Sequence, residues 1–196
     1  DDKEAELADC RAKIAEAENK LFKPIIGCEM YVARRTMDKK EGKPDQSGWH
    51  LIVLAKNEKG YHNLIKLVSR AWTQGYYMRP RTDRNELEKY HEGLIVCSAC
   101  IGGEVPKKII NDHAEEAIRW YKNLFGEDYY LELQRHRATI PRANHEAYPL
   151  QQKANAKLIE FAKKYNIKLI CSNDVHFVSE EHAEAHDRLI CLSTGK

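Results

Sequence analysis

Five apolar, β-rich runs recur along this chain, with starts near residues 24, 50, 94, 128 and 167. Between them lie longer polar stretches whose apolar residues fall at helical spacing, so strands and helices alternate at intervals of roughly 30 residues. That alternation predicts βαβ units built on a parallel sheet, with helices as crossovers. Residues 3–20, rich in Ala, Glu and Lys, read as a helix with a modest stripe of Ala5, Leu7, Ile14, Ala17 and Leu21, broken at Pro24. Asn57 to Gly60 read as the cap of a second helix carrying Leu64, Ile65, Leu67, Val68 and Trp72. Gly102 and Gly103 open another, residues 114–125 form a fourth, residues 146–165 a long fifth and residues 180–192 a short last one. Residues 34–48 are expected to be a flexible excursion, residues 75–83 an aromatic and basic loop, and residues 135–144 a polar loop. No repeat or low-complexity tract interrupts what reads as one domain.

A chain of 196 residues with 42% hydrophobic content can bury one core, or most of a larger one. Its 32 basic and 30 acidic side chains leave a net charge of +2, so no global positive field argues for tight nucleic-acid binding by this segment. A mean hydropathy of −0.67, without any long apolar run, excludes a membrane-spanning helix. No leader is visible, and the six cysteines lie mostly within apolar runs. They are therefore expected to be free and mostly buried thiols of a cytoplasmic protein. Cys97 and Cys100 have the spacing of a zinc ribbon or redox pair, but no second such pair accompanies them. The ends, Asp1-Asp2-Lys3-Glu4 without Met and Ser193-Thr194-Gly195-Lys196, read as those of a segment cut from something longer.

The chemistry is concentrated at strand ends. Residues 167–172 run directly into Asn173-Asp174-Val175-His176-Phe177. A strand ending in Asp-x-His sends a carboxylate and an imidazole to the same side of the chain, a good divalent-metal pair. Taken alone, the two are more often a turn and a helix start. Glu29 interrupts an otherwise apolar strand and, if buried, needs a partner: an Arg, a backbone donor or a cation. His50 opens the second run and Cys100 follows the third; each by itself reads as a structural residue. Together they propose a mixed O/N/S site at one end of a barrel, better suited to zinc or a borderline metal than to magnesium. Arg135 and His136, after the fourth run, are candidates for the same rim or for a solvated loop. Phosphate loops of the Walker type, G-x-S-x-G elbows and H-E-x-x-H helices are absent from the sequence.

The runs Lys23-Pro24-Ile25-Ile26-Gly27-Cys28-Glu29, His50-Leu51-Ile52-Val53-Leu54-Ala55-Lys56-Asn57, Gly60-Tyr61-His62-Asn63-Leu64, Cys97-Ser98-Ala99-Cys100-Ile101-Gly102-Gly103 and Asn173-Asp174-Val175-His176-Phe177 occur in this order. Each closely resembles the PHP (polymerase and histidinol phosphatase) domains of bacterial replicative DNA polymerase III alpha subunits, over most of the chain from about residue 22. The resemblance implies an α/β fold, a distorted (β/α)7 barrel at the amino end of a C-family polymerase. In related domains the barrel binds up to three divalent metal ions (zinc, manganese or magnesium), and in some it supports a 3′→5′ exonuclease. Glu29, His50, Cys100, Asp174 and His176 match positions that are metal ligands there, with Cys100 standing where other PHP enzymes have histidine.

Residues 1–21 contain no histidine, whereas the family's opening His-x-His strand supplies further ligands. The expectation is therefore an incomplete barrel lacking its first strands, with residues 1–21 as a helix or linker and residues 22–196 as a partial PHP domain. The resemblance implies a parent DNA-directed DNA polymerase acting on DNA and deoxynucleotides, with a sliding clamp and a proofreading exonuclease as partners and no membrane. For this segment it implies a vestigial or partial metal site that need not hold an ion, and no activity. Its rivals are a non-catalytic platform for the polymerase body and a free-standing PHP phosphatase.

Overall fold

In a computed structural model, which describes residues 2–20, 23–111, 113–137 and 147–195, the chain folds around one six-stranded sheet. The strands are β1 (Gly27–Ala33), β2 (Gly48–Ala55), β3 (Arg81–Thr82), β4 (Leu94–Cys97), β5 (Tyr129–Leu133) and β6 (Lys168–Cys171), in the order β3-β1-β2-β4-β5-β6. The helices are α1 (Asp2–Lys20), α2 (Glu58–Thr73), α3 (Arg84–Tyr90), α4 (Glu104–Ile110), α5 (Glu115–Phe125), α6 (Ala147–Tyr165) and α7 (Ala183–Thr194). The sheet is open, with β3 and β6 at its edges, as expected of an incomplete barrel. Among the described residues no helix is long and apolar enough to cross a membrane. The expected break and domain boundary at residues 21–22, most of the polar loop and the start of the long helix at Glu146 fall outside the described residues.

The all-parallel expectation is corrected at β2. β4, β5 and β6 run parallel, and β3 runs parallel to β1, but β2 is antiparallel to both β1 and β4. Parallel neighbours need a crossover, and the connections that supply one carry α4 with α5, or α6. Residues 34–47 hold only a short 3-10 turn, Lys43–Asp45, so the chain doubles back.

That connection is not the free excursion its glycines and charges suggested. Asp45, 1% exposed, accepts hydrogen bonds from the Arg35 guanidinium and from the Glu41 amide at 2.9 Å. The Met37 amide donates to Asp83 at 2.8 Å, and Arg81 reaches the Met37 and Lys39 carbonyls. Residues 75–83 likewise are more than a loop: they include β3, and Asp83 caps α3, a helix that the sequence pattern missed, by accepting from the Glu86 amide.

The Asp45 contacts have a pH consequence. The Arg35 hydrogen bond, opposed by burial and helped by the Glu41 amide, holds the Asp45 carboxyl down at about 2. An unfolded aspartate titrates near 3.9, so the folded state binds this proton less tightly. The stabilisation is complete above about pH 4 and is lost as pH falls toward about 2. The thermal midpoint of the parent is therefore expected to drop steeply across that window, and that of Asp45→Asn to start lower and drop less. Equal slopes would show that Asp45 is not coupled to folding.

The core lies where α2, α4, α5 and α6 meet the sheet, with Val32, Leu51, Val53, Leu67, Val96 and Leu131 among its fully covered side chains. Tyr121 of α5 stacks on Tyr129 of β5 with ring centroids 5.2 Å apart. The sequence placed the α2 cap correctly: the Asn57 side chain accepts from the Gly60 amide at 2.9 Å. Gly60 must be glycine because a Cβ there would lie 1.7 Å from the Gly93 carbonyl oxygen, a collision of backbone that no rotamer relieves.

None of the six cysteines is in a disulfide, but only Cys97 is buried; Cys28 and Cys100 are half-buried, and Cys10, Cys171 and Cys191 are exposed. The expectation of mostly buried cysteines fails because α1, β6 and α7 are covered on few sides. Every described side chain of α1 from Lys3 to Glu18 is exposed, and so are Leu189 and Leu192 of α7.

Candidate functional site

Glu29 and His50 meet because of the antiparallel register. Tyr31 lies opposite His50 and Glu29 opposite Ile52, so these four share one face of the sheet, with Glu29 diagonal to His50. Glu29 Oε1 stands 2.8 Å from His50 Nδ1, and Tyr31 packs edge-on against the imidazole at 5.1 Å. The expected buried carboxylate is in fact 42% exposed, so its contact with His50 compensates only partial desolvation. The parallel reading grouped the two residues at one end of a barrel; the antiparallel register is what makes them cross-strand neighbours.

Cys100 reaches the same histidine from β4. After Cys97 the chain turns through Ala99, held at φ 62°, and Gly102 and Gly103 pass against β2. There the His50 amide donates to the Gly102 carbonyl at 3.1 Å, and the Gly102 amide donates to Cys100 Sγ at 3.3 Å. Cys100 Sγ lies 3.4 Å from His50 Nδ1. Cys97, three residues earlier, points into the core, where burial and then the nearby Glu132 charge push its thiol up to about 12. The zinc-ribbon or redox reading of Cys97 and Cys100 has no support in that geometry.

The Cys100 contact first, and then Glu29, push the His50 imidazole up to about 10 against the effect of burial. The His50 hydrogen bond is also the main reason that the Glu29 carboxyl is lowered, with smaller help from the charges of His50 and His176. His176 is thus within electrostatic range of Glu29.

Asp174 and His176 lie on the segment that leaves β6, and the His176 Nδ1 turns back 2.7 Å from the Asp174 carbonyl oxygen. Asp174 adopts a left-handed φ of 48°, which an aspartate tolerates better than most residues. Both line an open groove of about 720 Å³ with His136, Phe177, His186 and Ile190. His136 takes the rim position through Nε2, 2.7 Å from the Asn173 carbonyl oxygen. Arg135 instead lies over the Tyr148 ring and donates to its hydroxyl at 3.3 Å. His186 belongs to the groove and was not singled out by sequence. Its ring lies 5.7 Å from His176 and 5.3 Å from Phe177, and nothing in the local pattern of α7 marks it.

The donor types, a carboxylate, an imidazole and a thiol, are those of zinc sites. Their arrangement is different: Glu29 and Cys100 both address the same His50 nitrogen rather than a common empty point. Among the described residues no group of three or more His, Cys, Asp or Glu side chains is disposed to hold a metal ion. As arranged, the trio does not fit an ion.

A family model for the PHP domain matches residues 4–136. The DNA polymerase III subunit alpha of Borreliella burgdorferi is 43% identical over 184 residues, covering 92% of this chain and 15% of the relative. Those of Thermus aquaticus and Aquifex aeolicus are 40% and 42% identical, covering 88% and 89% of the chain. The chain therefore spans only about a seventh of the length of these relatives, 14–15% of each.

Proposed function

The chain belongs to the PHP domain family, and from that membership we propose that it is a segment of a DNA polymerase III alpha subunit active in chromosomal replication. The parent protein extends DNA with deoxynucleotides, in company with a sliding clamp and a proofreading exonuclease. This segment does not itself polymerise. Reading the coding sequence on both sides of it tests the assignment: a polymerase frame is expected, and an unrelated frame overturns it.

For the segment we infer a partial site related to metal-dependent 3′→5′ exonuclease chemistry, with Glu29, His50 and Cys100 as one donor group and Asp174 and His176 as the other. In the complete domain these residues would help to hold a divalent ion, zinc, manganese or magnesium, which would supply Lewis acidity to a phosphodiester. The observation that carries this reading is the double engagement of His50 Nδ1 by Glu29 and Cys100. Glu29 and Cys100 share the one Nδ1 position of His50, so an ion entering there must displace contacts that the three side chains already make with one another. Missing or displaced ligands typically cost about 10–100-fold each in affinity or rate. Titration of this chain with zinc or manganese, together with a single-stranded DNA degradation assay, is expected to show weak or no binding and no degradation. Robust degradation abolished by Asp174→Asn would overturn the inference.

The reading of the domain as a platform for the polymerase body has one observation in its favour. Val175, Val178, Leu189 and Leu192, around the end of β6 and on α7, are strongly exposed apolar side chains. In the complete domain, a thermal midpoint unchanged by chelator supports the platform, and one lowered by chelator supports the metal site.

A further inference from the structure

The two halves of the candidate site hang on different strands, and one side chain ties them together. Glu132 lies on β5, between β4, which leads to Cys100, and β6, which leads to Asp174. It is 6% exposed in a strand that is otherwise apolar. The sequence signal that drew notice to Glu29 was present here as well, and here the carboxyl group is the buried one.

Its hydrogen bonds run in both directions. Oε2 accepts from the Ala99 amide at 3.2 Å, immediately before Cys100. Oε1 accepts from the Ser172 hydroxyl, two residues before Asp174, and from Gln134 Nε2 at 3.2 Å. Gln134 Nε2 also donates to Ser172 Oγ at 3.2 Å, and the Glu132 amide donates to Ser98 Oγ at 2.9 Å. Because β4, β5 and β6 are parallel neighbours, a side chain near the end of the middle strand reaches the exits of both others. A carboxyl group has acceptor capacity for all three side-chain contacts at once. Ala99 sits in a left-handed conformation that alanine keeps only where its surroundings impose it, and Glu132 supplies the acceptor that does so.

We propose that Glu132 is a positioning residue that fixes the Cys100 turn and the Asp174-His176 segment in one frame. An apolar side chain there would leave the Ala99 N–H and the Ser172 O–H without their acceptor, and each exit would relax independently. The significance of those exits rests on the reading of the site given above. The coupling itself requires neither metal nor DNA, so its test can fail while that reading stands, and the reverse.

The test is residue-resolved amide exchange by NMR on the whole chain, for the parent, Glu132→Leu, Glu132→Gln and Ser172→Ala. In Glu132→Leu, exchange at the hydrogen-bonded amides of Ala99 and Ser172 is expected to rise about tenfold or more, with the amides of β1 and β2 unchanged. Glu132→Gln retains one oxygen that can accept from the Ala99 amide, and exchange there is expected to return close to the parent rate. Ser172→Ala is expected to speed exchange at position 172 alone. Should Glu132→Leu fail to fold, the contrast between the other two variants decides the matter. Acceleration spread evenly through β1 and β2 would reduce Glu132 to a general structural role and overturn the proposal. No change at the amides of positions 99 and 172 in any variant would also overturn it.

Discussion

Arg81→Met is expected to lower the unfolding free energy by about 3–5 kcal/mol, the largest loss expected from any single polar side chain here. Arg81 is 0% exposed, and its guanidinium donates to three backbone carbonyls: Gly75 through Nε, and Met37 and Lys39 through Nη2, each at 3.0 Å. These bonds stitch the connection between β1 and β2 to the loop before β3. Methionine preserves the length of the stem and removes every donor, and an orphaned buried acceptor costs about 1–3 kcal/mol. Arg81→Lys is expected to fall between the two, because one ammonium cannot span acceptors that a planar fork reaches from two edges. Urea denaturation followed by far-ultraviolet circular dichroism measures all three proteins. A loss below about 1 kcal/mol in Arg81→Met would show that the carbonyls find other donors or water.

Gly103→Ala is expected to cost on the order of 3 kcal/mol and, at this chain length, to lower the thermal midpoint by roughly 6–12 °C. A Cβ at this position would stand 2.1 Å from the Ser98 carbonyl oxygen, 3.1 Å from that of Cys100 and 3.2 Å from that of His50. All three obstacles are backbone, so no side-chain rotation relieves them, and the Cys100 turn must move away from β2. The displacement has its own signature. Cys100 is half-buried against His50 in the parent, and its reaction with an aromatic disulfide reagent is expected to change together with the midpoint. A lowered midpoint with unchanged Cys100 reactivity would place the strain elsewhere. An unchanged midpoint would mean that the turn tolerates the methyl group.

How much of this could be read in advance depended on how local the cause was. The strands after residues 24, 50, 94, 128 and 167 and the helices α1, α2, α5, α6 and α7 follow from apolar periodicity and punctuation, which act within a few residues. The Asn57 cap is equally local. β3 has only two residues, Arg81 and Thr82, and is a strand only because β1 lies beside it, so no periodicity could announce it. α3 went unseen because its seven residues are too few for a stripe, although the Asp83 cap was there to be read.

The candidate site divides along the same line. By itself the sequence singled out the candidate residues: the interruption of an apolar strand by Glu29, and the positions of His50, Cys100, Asp174 and His176 at strand ends, are properties of the chain. The tertiary structure decided which of them touch. Glu29 meets His50 only because β2 returns antiparallel across the 34–47 connection, in a register that sets Tyr31 opposite His50. That return depends on Asp45 and Arg81, whose partners include Arg35, 10 residues from Asp45, and the Met37 and Lys39 carbonyls, 44 and 42 residues from Arg81. Glu132 likewise joins residues 33 and 40 positions distant. A side chain's identity and a strand's pattern are set by neighbours in sequence. Register, strand direction and the sharing of a buried acceptor are set by groups that become neighbours only when the sheet assembles.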